Sequence, residues 1–299
     1  MTWITFAIVS AAITGVNAVL DSHLLSRRLP GLAAYLLPLG IFHFTVGLIM
    51  LFVKPFPADV TLLPVFAAIG TGIIGGIASV ITLDVIRHGE VSRIIPVVNT
   101  SPLFVALLAV PLLGEMLNAR DWAGIVLTVA GAVLISVQKD GGGGKTQVQK
   151  SFLALAFCSL LAAVGSTIMK YALGTLSFWN VYSANSMCLA TVFIVFSARP
   201  ATLRQLGALP RRNQVLGMTL LNQALVVVAI VLSVVAIQKG PVALASTVLS
   251  SRPAFVFVYA LVLSRFFPQA LNERLTRGTA LLKFSAIALI IAGIVLITL

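Results

Sequence analysis

Charge is scarce in this chain. Only 9% of its 299 residues are charged and eight are acidic, against roughly a quarter charged in a soluble globular domain. With 59% hydrophobic residues and a mean hydropathy of +1.08, the shortfall excludes a water-soluble fold. Cysteine is nearly missing: Cys158 and Cys188 lie in separate apolar runs, with neither CxxC nor metal-ligand spacing, and read as small hydrophobes. No HExxH, GxSxG, P-loop or dinucleotide fingerprint occurs, so no enzyme, cofactor or metal is expected. GGGGK at 141–145 lacks the phosphate-loop spacing and follows an apolar run, which makes it a linker. Twenty Lys and Arg against eight Asp and Glu leave a net charge of +12. These cations sit between apolar runs, where they orient helices against anionic headgroups. Neither a zinc finger nor a basic helix with an aromatic platform is present, which argues against nucleic acid as a partner.

What is there is long apolar runs. A helix needs about 20 apolar residues to cross the hydrocarbon core. Ten spans are expected: 3–20, 33–53, 62–83, 92–112, 122–137, 151–170, 178–197, 215–237, 242–263 and 279–298. The first has no basic stretch before it, so it reads as a membrane helix and not as a cleaved signal. The predicted partners are the lipid bilayer and a small-molecule substrate. The alternating loops that include 1–2 and 9–10 hold fifteen Lys and Arg, whereas the other side holds Lys54, Arg120, Lys170 and Lys239. That bias predicts a multi-pass protein of the cytoplasmic membrane with both termini extracytoplasmic.

The chain also repeats itself. Residues 85–104, VIRHGEVSRIIPVVNTSPLF, align with 236–255, AIQKGPVALASTVLSSRPAF, at an offset of 151, placing Pro102 on Pro253 and Phe104 on Phe255. Each copy sits in a half with five spans. An odd number of crossings per copy turns the second copy upside down relative to the first. The expected fold is therefore an all-α membrane protein of ten transmembrane helices in two inverted five-helix repeats, 1–140 and 151–299, joined by a linker at 141–150.

Polar residues inside apolar spans are candidates for a cavity or a proton path. Arg252 is ten residues into the ninth span and adjoins Pro253, which interrupts the helix. It could meet an anionic group of a substrate or a structural counter-charge. Its repeat equivalent, Ser101, lies beside Asn99 and Pro102, a neutral counterpart. Ser250 adds a hydroxyl that could equally bond back to its own helix. His43 could carry a proton or bond across helices. Asp84 and Glu90 flank a span end and suit either a proton relay or an interfacial salt-bridge cluster. Asn17 is deep enough to line a cavity, whereas Asp21, one turn on, is expected at the interface. Asn180, Asn185, Asn222 and Gln223 are cavity candidates or helix–helix contacts. Gly72 and Gly76 form a GxxxG, and Gly124 and Gly131 are seven apart; they suit close helix packing inside the bundle or a dimer face, so monomer and homodimer both fit.

The stretch HGEVSRIIPVVNTSPLFVALLAVPLLGEMLNARDWAGIVLTVAGAVLI, with Gly114-Glu115, Gly124 and Gly131, resembles the EamA-type members of the drug/metabolite transporter superfamily. The second half matches at Gly240, Pro253 and Gly293 but carries Asn272-Glu273 where Gly-Glu is expected. The resemblance implies a secondary transporter that moves a small metabolite, amino-acid-like or another organic solute, outward by alternating access, with protons as the candidate coupling ion. Glu115 and Glu273 read as helix-end and loop anchors rather than substrate ligands, and the resemblance implies that helices five and ten are peripheral. Family precedent puts both termini in the cytoplasm, opposite to the charge bias. A passive facilitator or a lipid-headgroup flippase would use the same fold; a membrane-embedded enzyme or sensory module fits less well.

Overall fold

The computed structural model describes residues 2–88, 100–136, 145–266 and 277–298, and every regular element among them is a helix. Glu90, Asn99, Glu273 and the Gly141–Gly144 run lie outside the described residues. The helices are α1 Trp3–Arg27, α2 Leu32–Val53, α3 Leu62–His88, α4 Ser101–Leu113, α5 Ala119–Ser136 and α6 Lys145–Leu173. They continue as α7 Phe178–Ser197, α8 Pro200–Gly207, α9 Arg212–Lys239, α10 Val242–Leu249, α11 Arg252–Phe266 and α12 Arg277–Thr298. Among the described residues, seven helical segments are long and apolar enough to cross a membrane, and Ser101–Leu113 and Leu282–Thr298 are shorter apolar helices. Large apolar side chains such as Phe52, Phe66, Leu107, Val195 and Ile291 are exposed, as the lipid-facing surface of a multi-pass membrane protein requires.

Local sequence sets the helix ends. Gly114 stops α4 in the left-handed conformation, φ +66°, with its N–H donating to Ala109 O. Asn118 caps α5: its Oδ1 accepts from Arg120 N at 2.8 Å and Asp121 N at 3.0 Å, and Asp121 Oδ2 accepts from Asn118 N at 2.9 Å. The expected single span at 242–263 is two helices, α10 and α11, broken at Ser250–Ser251. The new helix starts at Arg252 because Pro253 has no N–H to give the preceding turn. The first half does the same thing 151 residues earlier, where α4 starts at Ser101 with Pro102 in its first turn. α1 runs seven residues past the expected span end at residue 20, and α8 is a short addition between the seventh and eighth spans.

The principal helix contacts join the first half to the second: α2 with α7, α5 with α12, α1 with α9, α10 and α11, α3 with α6 and α7, and α4 with α6 and α10. Exchanging the halves maps α1–α9 onto α6–α3 and α4–α6 onto α11–α1, and maps α2–α7 and α5–α12 onto themselves. Trp3, Lys54, Glu115, Lys170 and Gly240 gather at one end of the bundle, and Leu29, Leu32, Leu209 and Val215 at the other.

Glycine sets the closeness of these contacts. A Cβ on Gly72 would lie 2.3 Å from Asn185 O, and one on Gly76 would lie 2.9 Å from Val192 Cβ. The GxxxG of α3 is thus spent on α7 of the same chain. Gly72→Val is expected to separate α3 from α7 and cost about 1–3 kcal/mol by overpacking, read as a lower thermal midpoint in detergent.

Candidate functional site

Polar side chains from α1, α2, α9 and α11 converge within the bundle. α1 brings Asn17 and Asp21, four residues apart and so on one side of the helix. α2 brings Tyr35 and His43, and α9 brings Asn222 and Gln223. Asp21 Oδ1 accepts from the Tyr35 hydroxyl and, at 2.5 Å, from Asn222 Nδ2. His43 Nε2 is 3.1 Å from Gln223 Oε1; the amide oxygen can only accept, so the imidazole donates there. Ser186 on α7 donates to His43 O at 3.0 Å, tying the second half to the same turn of α2. Tyr35, His43, Asn222 and Gln223 are buried.

Arg252 completes the group from the start of α11. It is about 15 Å from the start of α10, half the thickness of a hydrocarbon core. Its side chain is exposed to solvent-sized space beside the buried Ser251. Asp21 lies within electrostatic range of it. Among the described residues it makes no hydrogen bond, and no ion pair joins it to Asp21. Four buried polar atoms nearby in the fold also lack partners among the described residues: Asn17 Nδ2 and Oδ1, Asn222 Oδ1 and Ser251 Oγ. A buried polar atom without a partner costs about 1–3 kcal/mol, so such a cluster suits polar atoms of a ligand.

Other residues singled out in the sequence go elsewhere. Asn180 sits at the start of α7, where its N–H meets Ser177 Oγ at 3.3 Å and its Nδ2 donates to Lys54 O at 3.0 Å. Asn185 donates to Thr71 Oγ1 at 2.8 Å across α7 and α3. Ser250 donates back to Thr247 O at 2.7 Å. Ser101 is half-buried at the start of α4, and Asp84 is exposed near the end of α3. Asp21, expected at the interface, instead anchors the cluster. Tyr35 was missed, because a lone tyrosine in LAAYLLP carries no charge to mark it.

A second polar assembly closes the opposite end. Glu115 accepts from Val242 N, and at 3.2 Å from Ala243 N, capping α10. Lys170 Nζ donates to Ile237 O at 2.6 Å, Gln238 O at 3.2 Å and Gly240 O at 2.7 Å, closing the end of α9. Glu115, after α4 in the first half, and Lys170, on α6 in the second, therefore hold one α9–α10 turn. An apolar groove of about 540 Å³ between α3 and α7, lined by Ile73, Cys188, Val192, Val195 and Phe196 with Arg199 at its end, shares no residue with the polar cluster and belongs to the lipid-facing surface. Among the described residues no group of three His, Cys, Asp or Glu could hold a metal ion.

Comparison with known proteins gives a family for the first half and a fold for the whole chain. Residues 1–137 match the EamA-like transporter family. The EamA-like region thus covers α1 to α5 and supplies Asn17, Asp21, Tyr35 and His43 to the cluster. The whole chain is similar in fold to a solved crystal structure, with a TM-score of 0.72 over 99% of this chain and 98% of that chain, at 18% sequence identity. No curated protein matches the chain. The EamA-like family is one of transporters and not of enzymes.

The His43–Gln223 contact yields a local test. A double-mutant cycle with His43→Leu and Gln223→Leu is expected to give a coupling of about 0.6–1.7 kcal/mol, the usual range for hydrogen bonds between membrane helices. Independent effects of the two changes on the thermal midpoint would mean the bond contributes nothing.

Proposed function

We infer that the protein is a secondary transporter that carries a small organic metabolite with an anionic group across the cytoplasmic membrane by alternating access. The observation that carries this reading is Arg252 at a helix break, without a direct counter-ion among the described residues and beside the unpartnered polar atoms of Asn17, Asn222 and Ser251. Irregular backbone at membrane depth is tolerated where it lines a cavity, and such breaks are where transporters bind substrate. The match of residues 1–137 to a transporter family supports the same reading.

The helix pairs that map onto one another when the halves are exchanged support ten spans in two inverted repeats with boundaries near 1–140 and 151–299. Alternating access then follows as rocking of paired elements about the cavity. The Glu115 and Lys170 contacts tie the α9–α10 turn to both halves at the end poorer in Lys and Arg, which supports a conformation closed at that end. The charge bias assigns this end, with both termini, to the outside. Reporter fusions at the two termini test the orientation; cytoplasmic activity of both would reverse it. For transport, purified protein in liposomes is expected to drive flux of at least one member of a metabolite panel, screened with a pH gradient on and off. Outward movement and proton coupling predict a gradient-dependent rate. Absence of flux across the whole panel under every gradient would count decisively against transport.

A further inference from the structure

We propose that the groove between α3 and α7 binds one anionic phospholipid, with an acyl chain lying along α7 and the phosphate at Arg199. The site is separate from the polar cluster and does not depend on transport.

The groove follows from the packing of the two helices. Gly72 and Gly76 draw α3 onto α7, and Ile73 from α3 and Val195 from α7 stand out from the seam, 42% and 76% exposed. Cys188, Val192 and Val195 line the groove from one side of α7, and Arg199 ends it just past the last turn. Thr191 also faces it, but its hydroxyl donates to Met187 O at 2.8 Å, which leaves the wall apolar. The space is about 540 Å³ and open along its length to the lipid-facing surface.

Length and charge name the occupant. At about 1.5 Å per residue, Cys188 to Arg199 spans about 16 Å, half of a hydrocarbon core about 30 Å thick. The groove therefore runs the depth of one leaflet and ends at the level of the headgroups. The charge there has one sign. The loop that begins at Arg199 adds Arg204, Arg211 and Arg212, and no acidic residue occurs from 141 to 272. Asp84 is the one acid on α3 and α7. It does not pair with Arg199: among the described residues the Arg199 guanidinium makes no hydrogen bond and no ion pair, and rests over the Phe196 ring, 5.9 Å from its centroid. A guanidinium held over a ring keeps the N–H groups at its edge free, and that fork matches two phosphate oxygens. A lipid with a net negative head satisfies both the apolar wall and the cation. A zwitterionic lipid brings a cation of its own to Arg199, and a free phosphate leaves the wall uncovered.

The test titrates purified full-length protein in detergent with phosphatidylglycerol and phosphatidylcholine of matched acyl chains, and counts bound lipid by native mass spectrometry. Phosphatidylglycerol is expected to bind about fivefold more tightly, the worth of one arginine at a charged membrane surface. Arg199→Gln is expected to bring that ratio to about one. Arg204→Gln removes the same charge from the same loop outside the groove and is expected to leave the ratio as it was. Val195→Trp, at an exposed position, fills the groove and is expected to lose the first bound lipid of either kind. Glycerol phosphate at matched concentration is expected not to compete. A wild-type ratio of one overturns the proposal without any variant. Equal losses in Arg199→Gln and Arg204→Gln overturn it in favour of diffuse attraction, and full competition by glycerol phosphate overturns it in favour of a plain anion site. The same spectra count protomers: a dimer lost in Val195→Trp with lipid binding unchanged assigns the groove to a second copy of the chain and overturns it too.

Discussion

Arg252→Gln is expected to lower uptake of any carboxylate-bearing substrate by about ten- to a hundredfold in proteoliposomes, the loss of one or more charged hydrogen bonds. Arg252→Lys should recover only part of this, because lysine keeps the charge but loses the planar fork that meets a carboxylate with two parallel bonds. Stability should move little. The guanidinium makes no hydrogen bond among the described residues, so its removal orphans no partner, and Asp21 keeps Tyr35 and Asn222. A structural counter-charge would behave differently: breaking a buried pair costs about 3–5 kcal/mol. Unchanged uptake together with a large fall in melting temperature would therefore assign Arg252 to structure and not to substrate.

Glu115→Ala should have the largest effect on the fold. It removes both acceptors from the first turn of α10, at about 1.5–3 kcal/mol for each bond to a charged group. Glu115→Gln retains an acceptor and should fall between. Lys170→Met orphans carbonyls at the end of α9 and should act in the same direction. Hydrogen exchange over residues 236–249 is the direct measurement. Faster exchange there, with the Asp21 end unaffected, is expected in both variants. Unchanged exchange would mean the two side chains do not hold the turn.

Glu115 reads in the sequence as a helix-end or loop anchor, and geometry puts it at the start of α10. The legible parts of the cluster were those where a polar residue interrupts an apolar run: His43, Asn222, Gln223 and Arg252 each stand out on desolvation cost alone. Asp21 was misplaced for a physical reason. Hydropathy falls through Asp21, Ser22 and His23, which mimics a membrane boundary, but α1 continues to Arg27 and carries Asp21 inside the bundle. Asn180 and Asn185 are chemically indistinguishable from Asn222 in sequence. Only direction separates them: the first two reach Lys54 O and Thr71, and the third reaches Asp21. The helix interruption was legible from Pro253, and the structure places the break just upstream at Ser250–Ser251.

The preference of each helix for the opposite half bears on how the chain matures. As residues 1–137 leave the ribosome, α1, α2, α3 and α5 meet few lasting partners among themselves, because α9, α7, α6 and α12 are not yet made. Native packing must await synthesis of the second half, so sequence-distant contacts form late and all together. Assembly is consequently all-or-none at the level of the pair. Two fragments cut within 141–144 and co-expressed should recombine into a working protein, whereas either alone should stay open to proteases.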